Sequence, residues 1–165
     1  MRRSRLAGCR GLLLKLRPMR TLFDSRDRQD LLQRLDHLTP QHTPQWGGMT
    51  APQMIRHVSV GLRLSLEEKA PRPAHGLLAH APLNWLVIHV LPWPKGAKTA
   101  PELLAEQPGE WDADVRSLRA LITEFGRQEH RPAWPENILF GRISGKSWGA
   151  LMYRHLDHHF TQFGV

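Results

Sequence analysis

The sequence predicts an all-α bundle, and three observations carry the prediction. Apolar residues recur at helical spacing in four long segments. Prolines and glycines concentrate in the stretches between those segments. Alternating β-branched runs, which half-buried strands require, are scarce. At 165 residues the chain has the size of one domain with a real core.

Each element follows from local chemistry. Asp24 or Ser25 can cap a first helix running to about Leu38, with Leu31, Leu32, Leu35 and Leu38 at helical spacing and Pro40 as its stop. After a loop from Gln41 to Gly48, Thr50 caps a second helix, and Pro52 is tolerated in its first turn because no intrahelical N–H bond is lost there. This helix runs through His57 to about Glu68. Met54, Val58, Gly61, Leu62, Leu64 and Ser65 give it a broad apolar or small face, with His57 toward one margin beside Gly61. Residues 69–82 hold three prolines and read as a linker. A short apolar helix from about Leu83 to Leu91 is next. A turn-rich stretch then extends from Pro92 to Gly109, with one helical turn at Pro101 to Glu106. A further long helix spans about Trp111 to Phe125, with Val115, Leu118, Leu121, Ile122 and Phe125 inward. After a loop over 126–143, Ser144 or Ser147 caps the last helix, which extends to about Phe163.

The net charge of +8 is concentrated at one end. Residues 1–18 carry six basic residues and no acidic one, which leaves 17 basic against 15 acidic residues elsewhere, a net of +2. The globular part therefore lacks the basic stripe of a nucleic-acid binder. Residues 1–18 read as a disordered basic leader ahead of a true or alternative start at Met19, with 19–165 as the single domain. The apolar run Leu12 to Leu14 is too short for a secretory signal, and Trp85 to Leu91 is too short to span a membrane. The lone Cys9 rules out an internal disulfide and leaves no thiol in the domain, which favours a reducing, cytoplasmic location.

The histidines carry the chemistry. His155 and His159 are four residues apart on the last helix and share a face. Two such imidazoles can hold one metal ion, and His57 from a facing helix would complete a three-histidine site with coordination positions left over. The same residues can also be a polar cluster that complements the negative end of the helix dipole, and spacing alone leaves both readings open. A zinc-protease helix is excluded because Leu156, not Glu, follows His155. A Cys–His zinc finger is excluded by the cysteine count. Asp157 projects away from the pair and is not expected to be a ligand, while His158 reads as supporting or surface. His37, His42, His75, His80, His89 and His130 show no pairing pattern and read as loop or surface residues.

The run Trp46-Gly47-Gly48-Met49-Thr50-Ala51-Pro52-Gln53-Met54-Ile55-Arg56-His57 resembles the opening of the second helix in DinB/YfiT-like proteins, where a Trp-containing loop and a capping Ser or Thr precede a metal-binding histidine. His155-x-x-x-His159 is similar to that superfamily's second motif. The segments Leu91 to Gly96 and Phe140 to Val165 look like an uncharacterised bacterial branch, and the resemblance covers residues 20–165. It implies an antiparallel four-helix bundle of the DinB/YfiT-like type and a divalent-metal site at His57, His155 and His159, nickel or zinc above all. It also implies a homodimer, since members often pair through bundle helices, and a low-molecular-weight thiol as substrate or cofactor.

Three functions compete at this stage. A metal-dependent enzyme could transfer such a thiol to an electrophile, or it could hydrolyse an ester or amide. The same site could instead serve a non-enzymatic metal- or small-ligand-binding module in a stress response. The thiol reading is preferred by analogy, because no carboxylate stands clearly as general base. A small-molecule substrate is expected, with neither nucleic acid nor membrane as partner. An apolar cleft walled by Trp148, Met152 and Trp93 would favour chemistry over a structural role.

Overall fold

The computed structural model describes residues 19–67, 76–96 and 106–165. The basic leader and most of the turn expected at Pro101 to Glu106 lie outside them. The described residues are all-α, with five α-helices and no sheet. Helix α1 spans Ser25–His37, α2 Ala51–Leu66, α3 Leu83–His89, α4 Trp111–Arg127 and α5 Gly145–Gln162. Helix α1 packs on α4, α4 on α2, α2 on α5 and α5 on α1, which closes a ring of four long helices. Helix α3 packs outside that ring on α5, so the architecture is a five-helix assembly rather than a strict four-helix bundle.

The caps explain the helix starts. Asp24 accepts from the amides of Arg26 and Asp27, so Asp24 and not Ser25 caps α1. Thr50 and Gln53 form a reciprocal capping box at α2. Glu110 caps α4 by accepting from the amides of Asp112 and Ala113. Ser144 caps α5 through the amide of Ser147. Ser147 itself is buried, and its hydroxyl meets His89 at 3.0 Å. His89 therefore sits on helix α3 with a packing partner, which corrects its assignment to a loop or the surface.

Arginines close the other ends. Arg131 donates to the carbonyls of Ser65, Leu66 and Glu67 at the end of α2. Arg154 of α5 donates to Val87, Ile88 and Leu91, taking the carbonyls at the end of α3. Helix α3 stops at His89, two residues earlier than the apolar run suggests, and Arg154 takes up the carbonyls it leaves. Arg34 of α1 pairs with Asp157 at 2.6 Å and also reaches the carbonyl of Val165, which fixes α1 to the end of α5.

The ring encloses the core. Leu31 and Leu35 of α1, Met54, Ile55, Val58 and Leu62 of α2, Leu118, Ile122 and Phe125 of α4, and Leu156 and Phe160 of α5 are fully or almost fully buried. Burial of such side chains contributes about 1.5–3 kcal/mol each. Aromatic packing closes one end, where Phe23 stacks on Phe125 at 5.3 Å and Trp134 stacks on Trp148 at 6.0 Å. The opposite end of α5 carries the histidines.

Candidate metal centre

Helices α2 and α5 are neighbours, and that adjacency brings three imidazoles together. His57 faces α5 from the second turn of α2. His155 and His159 follow one another along α5. The three ring centroids stand 4.7, 4.8 and 5.0 Å apart, with the ring planes steeply inclined. Each residue offers a ring nitrogen, and these nitrogens lie within 4.8 Å of one another. His57 and His159 are buried, and His155 is partly exposed. The sequence reading left open whether these helices face each other; they do.

Gly61 makes the approach possible. A methyl group at this position would stand 3.3 Å from Cε1 and Nδ1 of His155, tighter than ordinary packing. The bare backbone of α2 thus leaves room for the His155 ring, one turn beyond His57 on the same helix.

Nε2 of His57 and Nε2 of His155 are 2.8 Å apart. A hydrogen bond there requires one N–H and one lone pair, so one proton lies between two nitrogens aimed at a common point. Two nitrogens each about 2.1 Å from one ion would stand about 3.0 Å apart at a right angle and about 3.4 Å apart at the tetrahedral angle, so a small opening of this pair would admit an ion. The spacing of this pair therefore suits a shared cation.

A chain of polar contacts fixes the third ring. The amide nitrogen of Gln162 donates to the carbonyl of Trp46 at 2.6 Å, which turns its amide oxygen toward His159. That oxygen meets Nδ1 of His159 at 2.9 Å and can only accept, so Nδ1 carries the proton. Nε2 of His159 is left with its lone pair, the tautomer a metal ligand needs. Gly47 allows the contact: its φ is +80°, and a side chain there would stand 2.7 Å from the Gln162 amide nitrogen.

Electrostatics keep the rings neutral. Burial pushes His159 down to about 3, with the neighbouring His57 adding to the effect. His155 is held well below the usual imidazole range, first by burial and then by His159, His57 and His158. Both rings are therefore held in the neutral form, the one able to bind a metal ion. Asp157 binds Arg34 and takes no part in the triad. His158 is half-buried against Trp46, Trp93 and His159, with ring centroids 5.8, 6.0 and 5.3 Å away.

A cleft of about 250 Å³ lies next to the triad, with none of the three histidines among its lining residues. Trp46, Trp93, Lys95, Arg154, Asp157, His158 and Thr161 line it, and Asp157 also pairs with Arg34 of α1. Trp93 is a wall, as expected, and its ring also lies 6.4 Å from His155. Trp148 and Met152 are not walls: both are buried in the core. Trp148 lies seven residues before His155, about 10 Å down the helix axis, and its indole donates to the carbonyl of Pro135. The sequence reading missed Gln162, Trp46 and Lys95 as parts of the site. Gln162 was findable, since it follows His159 at the i+3 spacing that shares a helix face. Trp46 and Lys95 come from loops, whose convergence no periodicity encodes.

No family model, no curated protein and no solved structure matches the chain. The all-α fold and the three-histidine cluster are consistent with a DinB/YfiT-like metal-binding fold. No helix among the described residues is long and apolar enough to cross a membrane.

Proposed function

We propose that the protein is a divalent-metal-dependent enzyme of the DinB/YfiT-like type, with His57, His155 and His159 as ligands, transferring a low-molecular-weight thiol to an electrophile. The observation that carries this reading is the convergence of three ring nitrogens from two adjacent helices. The donor set fits a borderline ion such as zinc or nickel. The ion would supply a Lewis-acidic centre that lowers the pKa of a coordinated thiol or water.

The chain's own residues do the rest. Gln162 holds His159 in the ligating tautomer, and Gly61 gives His155 its place. Among the described residues no carboxylate or cysteine joins the three histidines, which leaves exchangeable positions, as catalytic sites have. The nearest carboxylate on α5, Asp157, is engaged by Arg34 rather than aimed at the triad. That absence of a placed general base favours thiol transfer over hydrolysis. The cleft beside the triad gives a small molecule a place to bind.

The test is a matrix of low-molecular-weight thiols against activated halides, epoxides and ester substrates, run on metal-loaded and chelator-treated protein. Metal-dependent consumption of a thiol and an electrophile together supports the reading. Metal-dependent ester or amide cleavage without thiol would move it to the hydrolase class. Metal binding with no turnover of any substrate would make the protein a binding module.

A further inference from the structure

We propose that the cleft beside the triad recognises a small substrate with a flat apolar body and a carboxylate or similar monoanionic group. The inference rests on the metal-enzyme reading only in placing the bound molecule beside a reacting centre.

Two indoles form the apolar walls, Trp93 held by a hydrogen bond from its ring and Trp46 by packing of its ring against His158 at 5.8 Å. Trp93 donates from its indole nitrogen to the carbonyl of Val87 at 3.0 Å and lies against the guanidinium of Arg154 at 5.1 Å. The backbone at Trp46 is fixed by its carbonyl, which accepts from Gln162. The indole nitrogen of Trp46 is buried with no hydrogen-bond partner among the described residues. Walls that do not move on binding favour rigid, planar partners, because neither side loses much rotamer freedom. The cleft is smaller than the pockets of drug-sized ligands, so the body is of one or two rings.

The charge is positive. Lys95 stands over the Trp46 ring at 4.4 Å, in the same turn that supplies Trp93. Among the described residues no carboxylate pairs with it. Arg154 contributes a second positive charge, with its hydrogen bonds committed to three backbone carbonyls. The one acidic residue of the lining, Asp157, is paired with Arg34. A bound anion therefore meets Lys95 directly and Arg154 through its field, and repulsion from Asp157 is offset.

The cleft is joined to the triad by two contacts. Gln162 links Trp46 to His159, and Trp93 lies against His155.

The experiment measures binding of 1-naphthoate and its neutral analogue 1-naphthamide to the full chain, metal-loaded and chelator-treated, by ligand-observed NMR. The expected result is saturable naphthoate binding, with naphthamide about fivefold weaker. Lys95→Gln should weaken naphthoate about fivefold and leave naphthamide unchanged. Trp46→Leu should weaken both. Lys146→Gln, at the opposite end of α5, should change neither. No naphthoate binding, equal affinity for the two probes, or wild-type affinity in Lys95→Gln overturns the proposal. Lys95-dependent binding in a protein that takes up no metal supports the cleft and refutes the metal reading, so the two failures are separable.

Discussion

The amide oxygen of Gln162 accepts from Nδ1 of His159 at 2.9 Å, one turn from the end of α5. The contact fixes the tautomer of a buried imidazole and leaves the lone pair of Nε2 suited to a metal ion. Removing it should be costly to metal affinity and cheap to the fold. Gln162→Ala is expected to weaken zinc binding about 10–100-fold. Competition against a chromophoric chelator measures this, with circular dichroism confirming that the helices persist. Unchanged affinity would mean that Gln162 merely fills space.

Gly61→Ala separates stability from function. Alanine gains about 1 kcal/mol over glycine in a helix interior. The new methyl group would stand 3.3 Å from the His155 ring, so that ring must yield. The variant is expected to melt no lower than the wild type and to bind metal more weakly. Equal metal affinity would show that α2 and α5 have slack at this point.

The pH dependence of the metal-free protein follows from the buried rings. His159 titrates near 3 in the folded chain and His155 also titrates well below its ordinary value. The unfolded chain takes up these protons near 6.5. Between the two values the unfolded state binds more protons, so stability rises with pH through that window. Metal-free protein should therefore lose melting temperature steadily as pH falls from about 6.5 toward about 3. The double variant His155→Gln, His159→Gln should flatten that dependence. A melting temperature that stays constant from pH 7 to pH 4 would contradict the neutral state of these two rings.

Arg154→Met tests the clamp on α3. The three carbonyls it serves would lose a charged donor, and the face of Trp93 would lose its stacking partner. A loss of about 2 kcal/mol is expected from chemical denaturation. Hydrogen exchange should show the loss concentrated in residues 83–93.

The legible parts of the molecule are those written in local chemistry. The caps at Asp24, Thr50 and Ser144 and the apolar repeats of α1, α2, α4 and α5 are readable because each depends on residues within a turn or two. His155 and His159 are readable as a pair for the same reason. That His57 meets them depends on which helices are neighbours, a property of the whole ring and not of α2. The place of α3 outside the ring rests on long-range contacts, among them Arg154, more than sixty residues away from the carbonyls it holds. The expected cleft failed for a related reason. Trp148 and Met152 lie on the inward arc of α5, and the arc alone does not say which of its residues face the core and which a cavity. The apolar walls, Trp46 and Trp93, come from the loops before α2 and after α3, and α5 supplies the polar side.

The central claim is that His57, His155 and His159 bind one divalent ion together. The most direct measurement is metal content and zinc affinity of tag-free protein and four single variants, His57→Ala, His155→Ala, His158→Ala and His159→Ala. The account predicts one ion per chain in the wild type, a sharp loss in each triad variant, and near wild-type binding in His158→Ala. Wild-type affinity in His57→Ala together with lost binding in His158→Ala would contradict it.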